Sequence, residues 1–370
     1  MQSVISIDWL TVHCEGEFGD EGLYQRVQQF KEGFMLSNYK YRLELLPYNS
    51  RQFSRLYRLY LFTGKYTSSG EEDYIAFAEI QAKPNGVIDG RTVLVKLCNR
   101  FLYEPHGLDM FRDVLNELHL TVKRISRLDI CADFNELLVG SPAQFIYDYA
   151  RGVYRHVGRS IGTTNFTQKG GDPIIYNALS FGKHTSDTRV YLYNKTLELK
   201  TVKDKPYIRD KWRAASLDVS RDVWRLEVSI TGKALEYHDR ESGQKQKITF
   251  DSLFNWGNVT QHYLTFVESL FAFVNNREGI TNITREPRIQ LLPEIAKVKR
   301  WAIREDVKGA TVGDKITIKR LYLSGKLYHG DMISDQGVTL TTAMDIARSR
   351  DLGDWFAKNV EYWEKEYRNI

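Results

Sequence analysis

Long apolar runs are missing from this 370-residue chain, which excludes a helix that spans a bilayer. The opening Met1-Gln2-Ser3-Val4-Ile5-Ser6-Ile7-Asp8 lacks the basic and apolar regions of a signal peptide, so no secretory leader and no membrane partner are expected. Cysteine is scarce: Cys14, Cys98 and Cys131 are odd in number and scattered, without metal-ligand spacing. That pattern argues against a disulfide framework and for reduced thiols, hence a cytoplasmic location. There is no Gly-rich phosphate loop ending in GKS or GKT, no His-x-His, no internal repeat and no low-complexity segment.

What is present suits a globular protein of two or three domains, with 42% hydrophobic, 27% charged and 13% aromatic residues. A net charge of +5 and a pI near 8.8 are compatible with a polyanionic partner without requiring one.

Period-two runs dominate the first two thirds. Val4 to Cys14 reads as a strand with Ile5, Ile7 and Trp9 on one side and Asp8 opposite. After a short helix expected at Leu23 to Phe30, the runs Tyr39–Leu46, Tyr57–Thr63, Tyr74–Gln81 and Val93–Asn99 form an antiparallel meander. His106 to Leu120 has helical spacing, and Ser141-Pro142 starts another helix.

Val122 to Phe134 is a strong strand whose Arg127, Asp129, Cys131 and Asp133 share one face. Two carboxylates four residues apart on a strand are separated by about 13 Å, so a metal ion bound by one needs a ligand from another strand. Residues 152–171 read as a loop or hairpin, either lying along a phosphate backbone or merely solvated.

The stretch around which the chain is organised is Arg189-Val190-Tyr191-Leu192-Tyr193-Asn194-Lys195, the second arm of a hairpin begun at Leu179-Ser180-Phe181-Gly182-Lys183. An extended backbone puts Arg189, Tyr191, Tyr193 and Lys195 on one face. Taken alone it reads first as packed sheet, since Tyr, Val and Leu are ordinary strand formers. Two phenols flanked by cations also suit a nucleophilic tyrosine, whose phenolate the cations would favour.

Downstream, Lys203, Lys205, Arg209, Lys211 and Arg213 interleave with Tyr207 and Trp212, either a nucleic-acid pattern or a solvated basic face. Arg225, Glu227 and Ser229 share one face of a strand over Val223–Ile230, where the charges either pair across strands or place Glu227 with Asp129 or Asp133 around Mg2+ or Mn2+. Phe254 to Phe273 has the spacing of a long helix. Elements of mixed type follow at 289–302, 315–322 and 341–367, with a second basic cluster at Lys297, Lys299, Arg300 and Arg304.

Three segments in order resemble the Rep_trans-type replication initiation factors, the plasmid rolling-circle initiators and related conjugative-element relaxases. They are Arg127-Leu128-Asp129-Ile130-Cys131-Ala132-Asp133, Phe181-Gly182 leading through Ser186 into Tyr193-Asn194-Lys195, and Arg225-Leu226-Glu227; Asp8-Trp9-Leu10 resembles the family's opening strand. The likeness covers about the first two thirds.

It implies metal-dependent nicking of one DNA strand, single-stranded at the nick, at a replication or transfer origin. A tyrosine becomes joined to the 5′ phosphate and a 3′ hydroxyl is freed. Tyr193 maps to the nucleophile, with Tyr191 beside it. Lys195 and Arg225 would neutralise transition-state charge, Asp129, Asp133 and Glu227 would hold Mg2+ or Mn2+, and Arg189, Lys203, Lys205, Arg209, Lys211 and Arg213 would contact DNA. A homodimer and a host helicase partner are expected from the resemblance only.

The expected architecture is α+β, a mostly antiparallel twisted sheet with helices on one face and a mixed C-terminal region. Residues 1–234 would form the nicking domain and 235–370 a mixed helical region for DNA binding or dimerisation. The alternatives are a non-catalytic origin-binding protein, which would gain nothing from acids beside its phosphate-facing cations, and a structural protein whose Tyr and Arg strands only pack.

Overall fold

The computed structural model describes residues 2–16, 33–48, 50–85, 90–158, 162–168, 174–183, 186–238, 245–278 and 282–292. All belong to the first of two units into which the chain divides, Met1–Ile303 and Arg304–Ile370. The helix expected at Leu23 to Phe30, the second basic cluster and the elements expected beyond 292 lie outside the described residues.

The fold is α+β. Strands β1 (Ser3–Glu15), β2 (Phe34–Leu36), β3 (Tyr39–Leu45), β4 (Phe53–Tyr66), β5 (Glu72–Pro84), β6 (Thr92–Leu97), β7 (Thr121–Phe134), β9 (Thr163–Thr167), β10 (Ile175–Phe181), β11 (Thr188–Asn194) and β12 (Trp224–Thr231) form one sheet. The short pairs β8 (Tyr154–His156) with β15 (Phe273–Asn275), and β13 (Glu236–His238) with β14 (Lys245–Lys247), stand apart from it. The large sheet runs in the order β2-β3-β4-β5-β6-β1-β7-β12-β11-β10-β9, and every pairing is antiparallel.

The first strand thus lies at the centre, between the meander β2–β6 and the run β7–β12. Its pattern departs from simple alternation. Ile7, Leu10, Val12 and Cys14 are in the core, whereas Trp9 faces the other way, because a bulge at Asp8 shifts the register between Ile7 and Trp9. One extra residue reverses the phase of everything after it, so a period-two reading puts Asp8 rightly opposite Ile7 and misplaces Trp9.

Six α-helices are described: α1 (Asn99–Leu102), α2 (Gly107–Glu117), α3 (Pro142–Ala150), α4 (Lys195–Thr201), α5 (Pro206–Ala214) and α6 (Trp256–Leu270). The apolar face of the central strands, with Leu128, Ile130, Leu226, Val228, Val190 and Leu192 all at 1% exposure or less, joins one core with Val259, Tyr263 and Phe266 of α6. Tyr263 also donates its hydroxyl to the Leu226 carbonyl at 3.0 Å. The boundary expected at 234/235 therefore falls inside this unit, and α6 completes its core.

The stretch read as a loop or hairpin at 152–171 contains β8 and the edge strand β9. None of the described helices is long and apolar enough to cross a membrane.

Candidate active site

Register places the chemistry. Tyr191 lies opposite Glu227 and Tyr193 opposite Arg225, while on the next strand Arg225 lies opposite Asp133, Glu227 opposite Cys131 and Ser229 opposite Asp129. Directly opposed residues in antiparallel strands share a face, so β7, β12 and β11 present Asp129, Asp133, Glu227, Arg225, Tyr191 and Tyr193 on one side.

The hairpin that delivers the tyrosines turns at Gly182, whose φ of +93° and close approach to the Thr188 carbonyl, 2.7 Å from where a Cβ would sit, explain a glycine there. At the far end β11 stops at Asn194. Its side chain accepts from Leu197 N at 2.8 Å and caps α4, so Lys195 opens a helix and is not the last residue of the strand. The helical turn sends Lys195 Nζ back over the strand, 3.3 Å from the Tyr193 hydroxyl and 2.6 Å from Glu198 Oε2. Lys195 is 1% exposed.

Tyr193, 9% exposed, donates to Glu227 Oε2 at 3.1 Å. Burial, with the Glu227 charge beside it, pushes the Tyr193 phenol well above its usual range, outweighing Arg225. The flanking cations therefore do not make it a phenolate in this state.

Burial, together with Asp8 and Asp129, pushes the Glu227 carboxyl up to about 7 against the opposing pull of Arg225 and Lys195. The pair is thus a protonated phenol bonded to a carboxylate poised near neutrality, the pairing that general-base activation uses. Tyr191 stacks on Tyr193 with ring centroids 4.5 Å apart and planes at 21°. It is more open, lies under Arg189 at 5.1 Å, and its phenol is raised chiefly by burial. A groove beside it is lined by Arg127, Lys183, Ser186, Arg189, Tyr191 and Glu227.

The other end of the same face is closed. Arg225, with no exposed surface, donates to Asp133 Oδ1 at 2.6 Å and Oδ2 at 2.8 Å, to Asp8 Oδ1 at 2.6 Å and to the Tyr103 hydroxyl at 2.9 Å. Trp212 Nε1 donates to Asp133 Oδ2 at 2.7 Å. Burial works to raise the Asp8 carboxyl, but Arg225 and Lys195, with bonds from Tyr103 and Asn99, hold it well below the usual carboxylate range.

Sequence reading omitted Asp8, Asn99, Tyr103 and Glu198 from the site. Asp8 had a signal in the Asp8-Trp9-Leu10 resemblance; the others come from helices that only tertiary packing delivers.

Among the basic residues, Arg189 borders the groove. Lys205, Arg209, Lys211 and Arg213 lie on or beside α5, whose Trp212 is buried, and Lys203 is exposed just before it. Arg209 pairs with Asp204 at 3.2 Å and Arg213 with Asp210 at 2.8 Å. Among the described residues no three His, Cys, Asp or Glu side chains form a ready metal cage.

No family model matches the chain, and no curated protein is similar to it in sequence. One similar solved structure is a rolling circle replication initiator protein from Geobacillus stearothermophilus, 12% identical, with a TM-score of 0.42, over 78% of this chain and 93% of that one.

Proposed function

We propose that the chain is a rolling-circle replication initiator or relaxase, which nicks one DNA strand at an origin through a tyrosine. The observation that carries this reading is Tyr193, whose hydroxyl lies 3.3 Å from Lys195 and 3.1 Å from Glu227, a residue that lines a groove bordered by cations.

Tyr193 Oη attacks the phosphorus as Glu227 takes its proton. The O–P bond to tyrosine forms and the bond to the 3′ oxygen breaks. That oxygen takes up a proton, so the net step moves one proton from phenol to 3′ hydroxyl and leaves a 5′-phosphotyrosine. Lys195 stabilises the phenolate as it forms, and Arg127 and Arg189 balance charge at the phosphate. Arg225, fully engaged by Asp133 and Asp8, acts by positioning.

The donor chemistry fits Mg2+ or Mn2+: Asp8, Asp129 and Glu227 are hard oxygen donors whose mutual repulsion helps raise Glu227. Asp129 and Glu227 would hold the ion once Asp129 gave up its bonds from Arg127, since Asp133 and Asp8 are already engaged by Arg225. When bound, such an ion supplies Lewis-acid polarisation of the phosphate oxygens.

The test is nicking of a supercoiled plasmid carrying the DNA that flanks this gene, with Mg2+ or Mn2+, read on a denaturing protein gel. Wild type and Tyr191→Phe should give a protein–DNA adduct and Tyr193→Phe none. Binding of that DNA without nicking in either metal would replace the proposal with a non-catalytic origin-binding protein.

A further inference from the structure

The face that carries Tyr191, Glu227 and Asp129 continues past β7. Asp129 lies opposite Trp9 and Arg127 opposite Thr11; Thr11 lies opposite Lys96, Lys96 opposite Glu79 and Glu79 opposite Arg58; one step along β4, Tyr60 lies opposite Arg42. The reverse side of these strands is core, with Leu10, Val95, Ala78, Leu59 and Leu43 at 1% exposure or less. The site face is different: Trp9, Tyr60, Tyr74, Arg42, Arg58 and Lys96 are all partly exposed.

The side chains on it are cations placed against rings. Lys96 Nζ and Arg127 Cζ lie 3.9 and 4.2 Å from the Trp9 ring centroid, and Arg42 lies 4.4 Å from Tyr74 and 5.6 Å from Tyr60. Glu79 sits between Arg58 at 3.2 Å and Lys96 at 3.6 Å and Glu44 lies opposite Arg58, so these four charges balance, and Arg42, which lies opposite Tyr60, has no acid directly across from it. Rings and cations interleaved on an open sheet match the chemistry of unpaired nucleic acid, whose bases stack and whose phosphates need neutralising. A duplex hides its base faces and is read by an element that enters a groove, which a flat sheet face does not offer.

We propose that this face is a track for single-stranded DNA, leading from the tyrosines over β12, β7, β1, β6, β5 and β4 to β3. Seven inter-strand steps make it about 34 Å long. The proposal rests on the nicking reading for its choice of DNA and for the end at which the track begins.

The test measures fluorescence anisotropy of the full chain with labelled oligodeoxythymidylates of about 4 and about 16 nucleotides, lengths that bracket known single-strand sites. Wild type should bind the longer oligomer more tightly. Arg42→Ala with Tyr60→Ala should weaken that binding about ten-fold or more, leave the short oligomer unaffected, and reduce the salt slope by about 0.7 per lost phosphate contact. Arg42→Lys should retain most of the affinity, which separates lost charge from lost folding.

Equal binding of the long oligomer by the double variant and wild type would overturn the track. So would affinity that does not grow with length, or tighter binding of a duplex of the same length. Adduct formation on a short oligomer is scored separately: failure to nick with length-dependent binding intact sinks the catalytic reading alone.

Discussion

The two ends of one face, formed by β7 and β12, hold the same kinds of residue in opposite states. At the closed end Arg225, Asp133 and Asp8 are shut in, and Arg225 spends its donors on two carboxylates and Tyr103. At the open end Arg127 is bonded to Asp129 at 2.6 and 3.0 Å but keeps 41% of its side chain exposed, and Glu227, bonded to the Tyr193 phenol, is acted on by two acids and two cations without an ion-pair partner of its own. Compensated charge holds strands together, whereas uncompensated charge is available to a substrate.

The largest effect on stability should come from breaking the closed end. Arg225→Ala leaves Asp133 and Asp8 buried without their counter-ion and should cost about 3–5 kcal/mol, read from urea unfolding. A loss below about 1 kcal/mol would mean that this network is not what holds the central strands.

Glu227→Gln should act in the opposite direction. The folded-state carboxyl at about 7 lies above its ordinary 4.5, so the folded protein holds the extra proton between those values. Stability therefore falls as pH rises through that window, and the cost is complete above pH 7. The amide removes it, giving on the order of 2 kcal/mol of stabilisation at pH 8 and almost none at pH 4, while nicking falls about 10²–10⁴-fold. A variant no more stable than wild type at pH 8 would show that Glu227 is not under strain.

Divalent metal should raise the melting temperature more at pH 8 than at pH 5, since protons and cations compete for Glu227. A shift independent of pH would place the ion elsewhere. Arg127→Ala should cost about 1–3 kcal/mol in stability, because it leaves Asp129, 2% exposed, without the guanidinium that bonds both its oxygens, and it should also weaken DNA binding measurably.

Much of the fold was legible because period two is local. β3 to β7, the hairpin β10–β11 and β12 fall where alternation and turn residues put them, and α2 and α6 where helical spacing does. Local reading failed at Trp9, where the bulge at Asp8 reverses the phase, and at Lys195, where a cap converts strand to helix.

The candidate site was legible as residue types on shared faces. Asp129, Glu227, Tyr193 and Arg225 are each placed by alternation within their own strand. Which of them meet is a matter of strand order, and no alternation encodes that β12 lies between β7 and β11.

By itself, then, the chain's order of residues determined the strands, their two-faced character and the tyrosine-rich stretch with its cations, because those follow from backbone geometry over a few residues. Tertiary structure alone decided that Asp133 is Arg225's counter-ion, that Glu227 receives the Tyr193 hydroxyl, and that Lys195 turns back to the same oxygen. Those relations depend on desolvation and on contacts between segments as far apart as Asp8 and Arg225, and charge buried by distant neighbours leaves no mark in the sequence around it.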